Sequence, residues 1–263
     1  MSRKAHERIN HKERAIEKRD KMLKHDISSE RATVEEVFDN ATFMVIYSLL
    51  KKGILGELNG VVNAGKESRV YWGKDLKGKD LAVKVYLTSS AEFKKGMLKY
   101  IHGDYRFKRV KHDTKSLIFT WAKKEFRNLE QAYNVNIRVP KPIAVKNNVL
   151  VMEFIGKEGI RAPSLKNFYP KNPDKIYKMI LNYVKTLYQK ADLIHGDLSE
   201  YNIMIWNKTP VIFDMSQAVP STHPLADELL KRDIENINKF FKRLNVKVYP
   251  IKKACKMVVN KNN

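Results

Sequence analysis

Between residues 57 and 87 the apolar residues fall into three short β-like runs, GELNGVVNAG, SRVYWGKD and KDLAVKVYL, separated by Gly, Asn, Asp and Lys turns. Runs this closely spaced fold as an antiparallel meander, and a sheet that small needs other elements to cover it. Upstream, Thr33 and Glu36 have the spacing of a helix capping box. Val34, Val37, Phe38, Ala41, Val45 and Leu49 then recur at helical spacing, which predicts a helix over 34–51 ending before Gly53. Downstream, Trp121, Ala122, Glu125, Phe126, Leu129 and Tyr133 share one face of a helix at about 116–133. Pro140 and Pro142 bound the next element, and PIAVKNNVLVMEFI reads as a hairpin turning at Asn147-Asn148. Beyond GKEG at 156–159 the pattern turns helical, with Ile176, Ile180, Tyr183, Val184, Leu187 and Ala191 on one stripe. Two short strands at 202–206 and 210–214 precede a helix from about 224 that carries Leu230, Ile234, Ile237, Phe241 and Leu244. The expected class is α+β: a β-rich N-terminal part with one inserted helix, a boundary near 156, and a mostly helical C-terminal part.

Charge narrows the partners. The chain has 51 Lys and Arg against 29 Asp and Glu, a net charge of +22, while 43% hydrophobic residues suffice for a real core. Such an excess points to a polyanion, nucleic acid first. It is concentrated in an arm, residues 1–25, where nine basic residues face four acids, and in residues 88–115, which read as a basic, mobile insertion. Residues 251–263 read as a basic tail. The single cysteine, Cys255, excludes an internal disulfide and a cysteine-ligated zinc site and fits a reducing, cytoplasmic setting. No stretch approaches the ~18 apolar residues of a membrane span, so no membrane partner is expected.

The chemistry lies in IHGDLSEYNIMIWNKTPVIFDMSQ, residues 194–217. Asp197 and Asn202 have the Asp-x-x-x-x-Asn spacing of a kinase catalytic loop, and Asp214 follows an apolar strand. Phosphoryl transfer needs a carboxylate to position and deprotonate the nucleophile, and hard oxygens to hold Mg²⁺ on the phosphates; Asn202 and Asp214 supply the latter. Lys84, within the strand LAVKVY, matches a lysine that meets the α- and β-phosphates, and Glu125 is its candidate partner. The turn from Asn63 to Ser68 lacks GxGxxG, yet Gly65 permits close backbone approach while Lys66 and Ser68 can meet phosphate oxygens. His195 has no metal-ligand spacing to other histidines and is expected to hydrogen-bond backbone near the loop.

Taken together, NAGKESRVYWG, LAVKVY, MEFIGKEGIRAP, HGDLSEYNI, IFDMSQAV and HPLADELLKRDIENINKFF resemble the RIO family of atypical protein kinases, most of all its first, serine-kinase subfamily in the compact archaeal form. The resemblance spans about 30–245. It implies a trimmed bilobal kinase-like fold, use of ATP with Mg²⁺ or Mn²⁺, serine autophosphorylation, and a role on the small ribosomal subunit precursor and its rRNA. Residue by residue, it implies that Asp197 is the catalytic base, Asn202 a metal ligand, and Asp214 a metal ligand that can itself accept phosphate. Lys84 becomes the phosphate-contacting lysine, Glu125 its partner, and Lys66 with Ser68 the phosphate loop. Glu153, Phe154 and Ile155 become the adenine hinge, with Met152 as the nearby apolar residue. Autophosphorylation is expected in the 88–115 loop, at Ser89 or Ser90, or nearby at Ser116. The lobes would be 53–155 and 156–250. Asp214 is followed by Met-Ser-Gln instead of Phe-Gly, and no A-P-E signature follows, so ordinary peptide docking is not implied. Two alternatives share these residues: an RNA-binding assembly factor with a slow nucleotide-gated switch, and a small-molecule phosphotransferase of the aminoglycoside or choline type.

Overall fold

The structure is a computed structural model that describes residues 38–88, 91–107, 110 and 113–260. The basic arm, the Thr33–Glu36 pattern, Ser89 and Ser90 lie outside the described residues. Helix α1 (Asn40–Lys51) begins where the Asp39 carboxylate accepts from Thr42 N–H at 2.7 Å, and it ends as Gly53 takes φ 71°. Of its predicted stripe, Val45 and Leu49 are buried and Ala41 is exposed. The chain divides into two compact units within this helix, at Tyr47 and Ser48.

The second unit opens with the expected meander, β1 (Glu57–Ala64), β2 (Ser68–Lys74) and β3 (Asp80–Tyr86). β4 (Pro142–Lys146) and β5 (Val149–Glu153) form the expected hairpin, with Asn147 at φ 51°, and complete an antiparallel sheet ordered β1-β2-β3-β5-β4. Central β3 is buried on both faces, so alternation along it separates Ala82, Lys84 and Tyr86 from Leu81, Val83 and Val85.

The segments read as a basic, mobile insertion and a basic tail both contain a helix. Within 88–115, α2 (Ala91–Ile101) buries Met97, Tyr100 and Ile101, and a 3₁₀ turn follows at Tyr105–Phe107. The apolar i, i+3, i+4 triplet among the lysines gives the helix a face to bury, which charge counting hid. Residues 251–260 likewise hold a helix, α6 (Ile251–Val259), with Ala254 and Val258 buried; the Gln189 amide caps its end through Val258 O at 2.8 Å. In sequence order α3 is Thr114–Asn134, α4 Pro173–Ala191 and α5 Ala226–Arg243. Asp113 caps α3 through Ser116 N–H, and Asn172 with Pro173 starts α4.

Between α4 and α5 lie β8 (Leu193–Ile194), β9 (Ile203–Trp206), β10 (Thr209–Ile212) and β11 (Val219–Pro220), in the pairs β9–β10 and β8–β11; the short hairpin β6 (Gly156–Lys157) and β7 (Ile160–Arg161) precedes α4. The strand predicted to reach 214 stops at Ile212. One apolar core runs through Ala82 and Tyr86 of the sheet, Trp121 and Leu129 of α3, Ile180 and Leu187 of α4, and Ile234 and Phe241 of α5. No described helix is long and apolar enough to cross a membrane.

Candidate active site

Because Lys84 and Tyr86 share a face of β3, both reach Glu125 on α3. Lys84 Nζ lies 3.0 and 2.9 Å from the two Glu125 oxygens and 2.9 Å from Asp214 Oδ1; the Tyr86 hydroxyl donates to Glu125 as well. Burial works against the ammonium, but the charges of Asp214 and Glu125 outweigh it and raise its pKa, so Lys84 is a fixed cation. Burial likewise works against the Asp214 carboxylate; the Lys84 charge and hydrogen bond, helped by Ser216, hold its pKa below the usual range. Burial pushes Glu125 up to about 7 against the pull of Lys84. Glu125 is fully buried, whereas the Asp214 side chain is 40% exposed and open to a ligand.

Asp214 sits in the left-handed region, φ 58° and ψ 62°, at the start of the 3₁₀ turn Met215–Gln217. Ser216 Oγ donates to Asp214 Oδ1 at 2.9 Å, and Gln217 Nε2 donates to Asp197 Oδ2 at 3.3 Å. Asn202 Nδ2 donates to Asp197 O at 2.8 Å and to Asp197 Oδ2 at 3.2 Å, which leaves Asn202 Oδ1 unbonded among the described residues. Phe213 N–H donates to Asn202 O at 3.1 Å, tying the two ligand-bearing segments together. The Asp197 pKa is raised, first by burial and then by the negative charge of Asp214, as suits a base.

His195 is buried, as its lack of ligand partners suggested. Its Nε2 faces Phe213 O at 3.1 Å, while Nδ1 accepts from Asp197 N–H at 3.3 Å, which sets a neutral ring protonated on Nε2. Burial lowers its pKa to about 4. The unfolded ring, near 6.5, then binds a proton that the folded ring refuses. Stability from His195 is complete above pH ~6.5 and is lost as pH falls toward about 4. Urea melts should show a loss of about 3 kcal/mol over that window, absent in a His195→Gln variant.

The remaining predicted residues divide. Ser68 begins β2 opposite Tyr86, and Gly65 N–H donates to Ser68 O at 2.9 Å, closing the turn. Lys66 is exposed, with no bond to the catalytic residues. Met152 and Phe154 are buried in the core, and Ile155 is buried beside it. The Glu153 carboxylate takes a bidentate pair from Arg138, at 2.8 Å to each nitrogen. The Glu153 side chain is thus committed to Arg138, and its backbone N–H donates to Lys141 O at 2.8 Å. Gly156 follows at φ 152°, where a Cβ would come within 2.2 Å of Ile160 O, so only glycine permits this bend.

A model of the RIO domain matches residues 69–254. The chain belongs to the RIO family of serine/threonine-protein kinases. RIO-type serine/threonine-protein kinase Rio1 of Methanocaldococcus jannaschii is 46% identical over 215 residues, which cover 81% of this chain and 73% of that protein. Human serine/threonine-protein kinase RIO1 is 37% identical over 252 residues, covering 94% of this chain; the chain spans 44% of the human protein's length. Among solved structures, the Rio2 kinase of Chaetomium thermophilum as an ADP/Mg²⁺-phosphoaspartate complex superposes with a TM-score of 0.63 at 25% identity, covering 82% of this chain and 66% of that one.

Several further residues shape the site without leaving a motif in the sequence. Asp233 on α5 is buried and accepts both Gly196 N–H and Leu198 N–H at 2.8 Å, so it clamps the backbone on either side of Asp197. Lys124, next to Glu125, is fully buried; its ammonium meets Ser216 O at 3.1 Å and also Ala218 O, and Asn128 Nδ2 bonds Met215 O at 2.8 Å. Burial pushes the Lys124 pKa down to about 7. One turn of α3 thus holds both Lys84 and the segment after Asp214. Glu67, between Lys66 and Ser68, has its pKa raised by burial and by the nearby Asp214 and Asp197 charges, so the turn brings an acid to the cleft as well as donors.

Proposed function

We propose that the chain is an ATP-dependent atypical serine/threonine kinase and ATPase that uses Mg²⁺ or Mn²⁺, phosphorylates itself and acts in maturation of the small ribosomal subunit. The observation that carries this reading is Lys84 held between Glu125 and Asp214, with Asp197 and Asn202 on the adjoining loop. The donor set fits a divalent ion. The unbonded Asn202 Oδ1 and the open Asp214 carboxylate are two hard oxygens, and among the described residues no cluster of three His, Cys, Asp or Glu forms an all-protein cage. Mg²⁺ commonly takes such a pair and completes its shell with phosphate oxygens and water. When bound there it would neutralise charge on the β- and γ-phosphates.

The chain's own side chains do the rest. Lys84 holds phosphate oxygens, Asp197 accepts the proton of an attacking hydroxyl, and Asp214 offers an oxygen that can take the γ-phosphoryl group itself. That last step is supported by the phosphoaspartate in the related Rio2 kinase. The +22 charge supports an anionic partner, small-subunit precursor rRNA. If the lysines and arginines of 1–25 and 88–115 neutralise six to ten phosphates, affinity should fall roughly 10³- to 10⁵-fold between about 50 and 200 mM salt. Filter binding across that range checks this, and salt-insensitive binding contradicts it.

The proposed function is tested by incubating the protein with γ-labelled ATP and Mg²⁺, alone and with precursor small subunits, quenching in cold acid and treating the product with neutral hydroxylamine. A label released by neutral hydroxylamine supports transfer to Asp214, and a hydroxylamine-resistant fraction reports serine. Absence of both label and ATP turnover contradicts catalysis and leaves an RNA-binding factor.

A further inference from the structure

The Met-Ser-Gln that follows Asp214 has a chemical use of its own. The 3₁₀ turn places Ser216 on Asp214 and Gln217 on Asp197, so two successive side chains bond the two catalytic carboxylates. A carboxylate only accepts, so the Gln217 amide must present its NH₂ to Asp197 Oδ2. Gln217 Oε1 is then left without a hydrogen bond among the described residues, on a half-buried side chain beside the base. An amide with one end on a base and the other end free is suited to hold the water that the base deprotonates.

We propose that Gln217 is the water-positioning residue for hydrolysis of a phosphoryl group carried on Asp214. The inference rests on the phosphoenzyme reading above and assigns its second half-reaction. Gln217 Oε1 accepts one hydrogen of the water, and Asp197 takes the other as a proton. The water oxygen forms a bond to phosphorus, and the bond from phosphorus to the Asp214 oxygen breaks with its electron pair returning to the carboxylate. Inorganic phosphate leaves, and Asp197 releases its proton to solvent. Asn202, bonded to the same Asp197 oxygen, keeps the base in register while Gln217 serves the water.

The test is a pulse-chase. Protein labelled with γ-labelled ATP and Mg²⁺ is chased with excess unlabelled ATP, and loss of label is followed for wild type, Gln217→Ala, Gln217→Asn and Gln217→Glu. Gln217→Ala and Gln217→Asn should slow the loss about 10²-fold and raise the labelled fraction at steady state. Gln217→Glu keeps an oxygen for the water but sets a negative charge against Asp197, so its decay profile should move to higher pH. After denaturation all labelled proteins should lose the group at one common rate, since the acyl phosphate itself is unchanged. Decay at the wild-type rate in Gln217→Ala overturns the inference. Equal slowing of labelling and decay also overturns it, because that marks a side chain that merely holds the loop. A wild-type protein that acquires no hydroxylamine-labile label fails the phosphoenzyme reading and this role with it.

Discussion

Asp214→Asn should lower both self-labelling and ATP turnover by about 10³-fold or more while leaving the fold intact. The amide is nearly isosteric but carries no charge to attack phosphorus or to hold a cation, and it no longer neutralises Lys84. Lys84 keeps Glu125, at 2.9 Å on the side away from the cleft, so the buried ammonium is not orphaned. The Asp214 side chain is 40% exposed, and losing its charge leaves no cavity. Thermal melts should therefore shift little while phosphate release collapses. Parallel melts and phosphate assays check both halves, and a large drop in melting temperature would mean that Asp214 is chiefly a structural partner of Lys84.

Asp233→Ala is expected to do the reverse, destabilising first and inactivating as a consequence. Both carboxylate oxygens receive backbone N–H groups, from Gly196 and Leu198, in a fully buried setting. Truncation orphans two buried donors at about 1–3 kcal/mol each, so a total of roughly 2–5 kcal/mol should appear in urea melts. Gly196 cannot yield easily: it holds φ 76°, and a Cβ there would meet Gln217 O at 3.0 Å. The neighbouring Arg232 guanidinium, which donates to Gly196 O, loses its adjacent counter-charge in the same variant. Activity should fall because the Asp197 backbone is no longer held between two clamps. A variant of wild-type stability would contradict the assigned brace.

What the sequence made legible was whatever leaves a periodic or motif trace. The meander, the 147–148 hairpin, the α4 stripe and the quartet Lys84, Asp197, Asn202 and Asp214 are local patterns; in the fold Lys84 lies against Glu125 and Asp214, and Asn202 bonds Asp197. What stayed hidden was polar chemistry on buried faces. Lys124 and Asn128 look like solvent-facing helix residues until α3 is seen pressed on the segment 215–218, where backbone carbonyls need donors. Asp233 reads as one more charge in a helix rich in them, and only the tertiary approach of α5 to the catalytic loop gives it two partners. The helices α2 and α6 were masked by their lysines, because charge density speaks of the exposed face and not of Met97, Tyr100, Ala254 or Val258 beneath it.

The proposed function requires one cleft, organised by Lys84, to pass the γ-phosphoryl group of ATP to the chain's own Asp214. Borohydride reduction of the acid-quenched, ATP-treated protein tests this most directly, since it converts an aspartyl phosphate to homoserine, which peptide mass spectrometry then locates. Homoserine at position 214, dependent on ATP and Mg²⁺ and absent without nucleotide, is the expected result. Phosphate confined to serine, with residue 214 recovered only as aspartate, would contradict it.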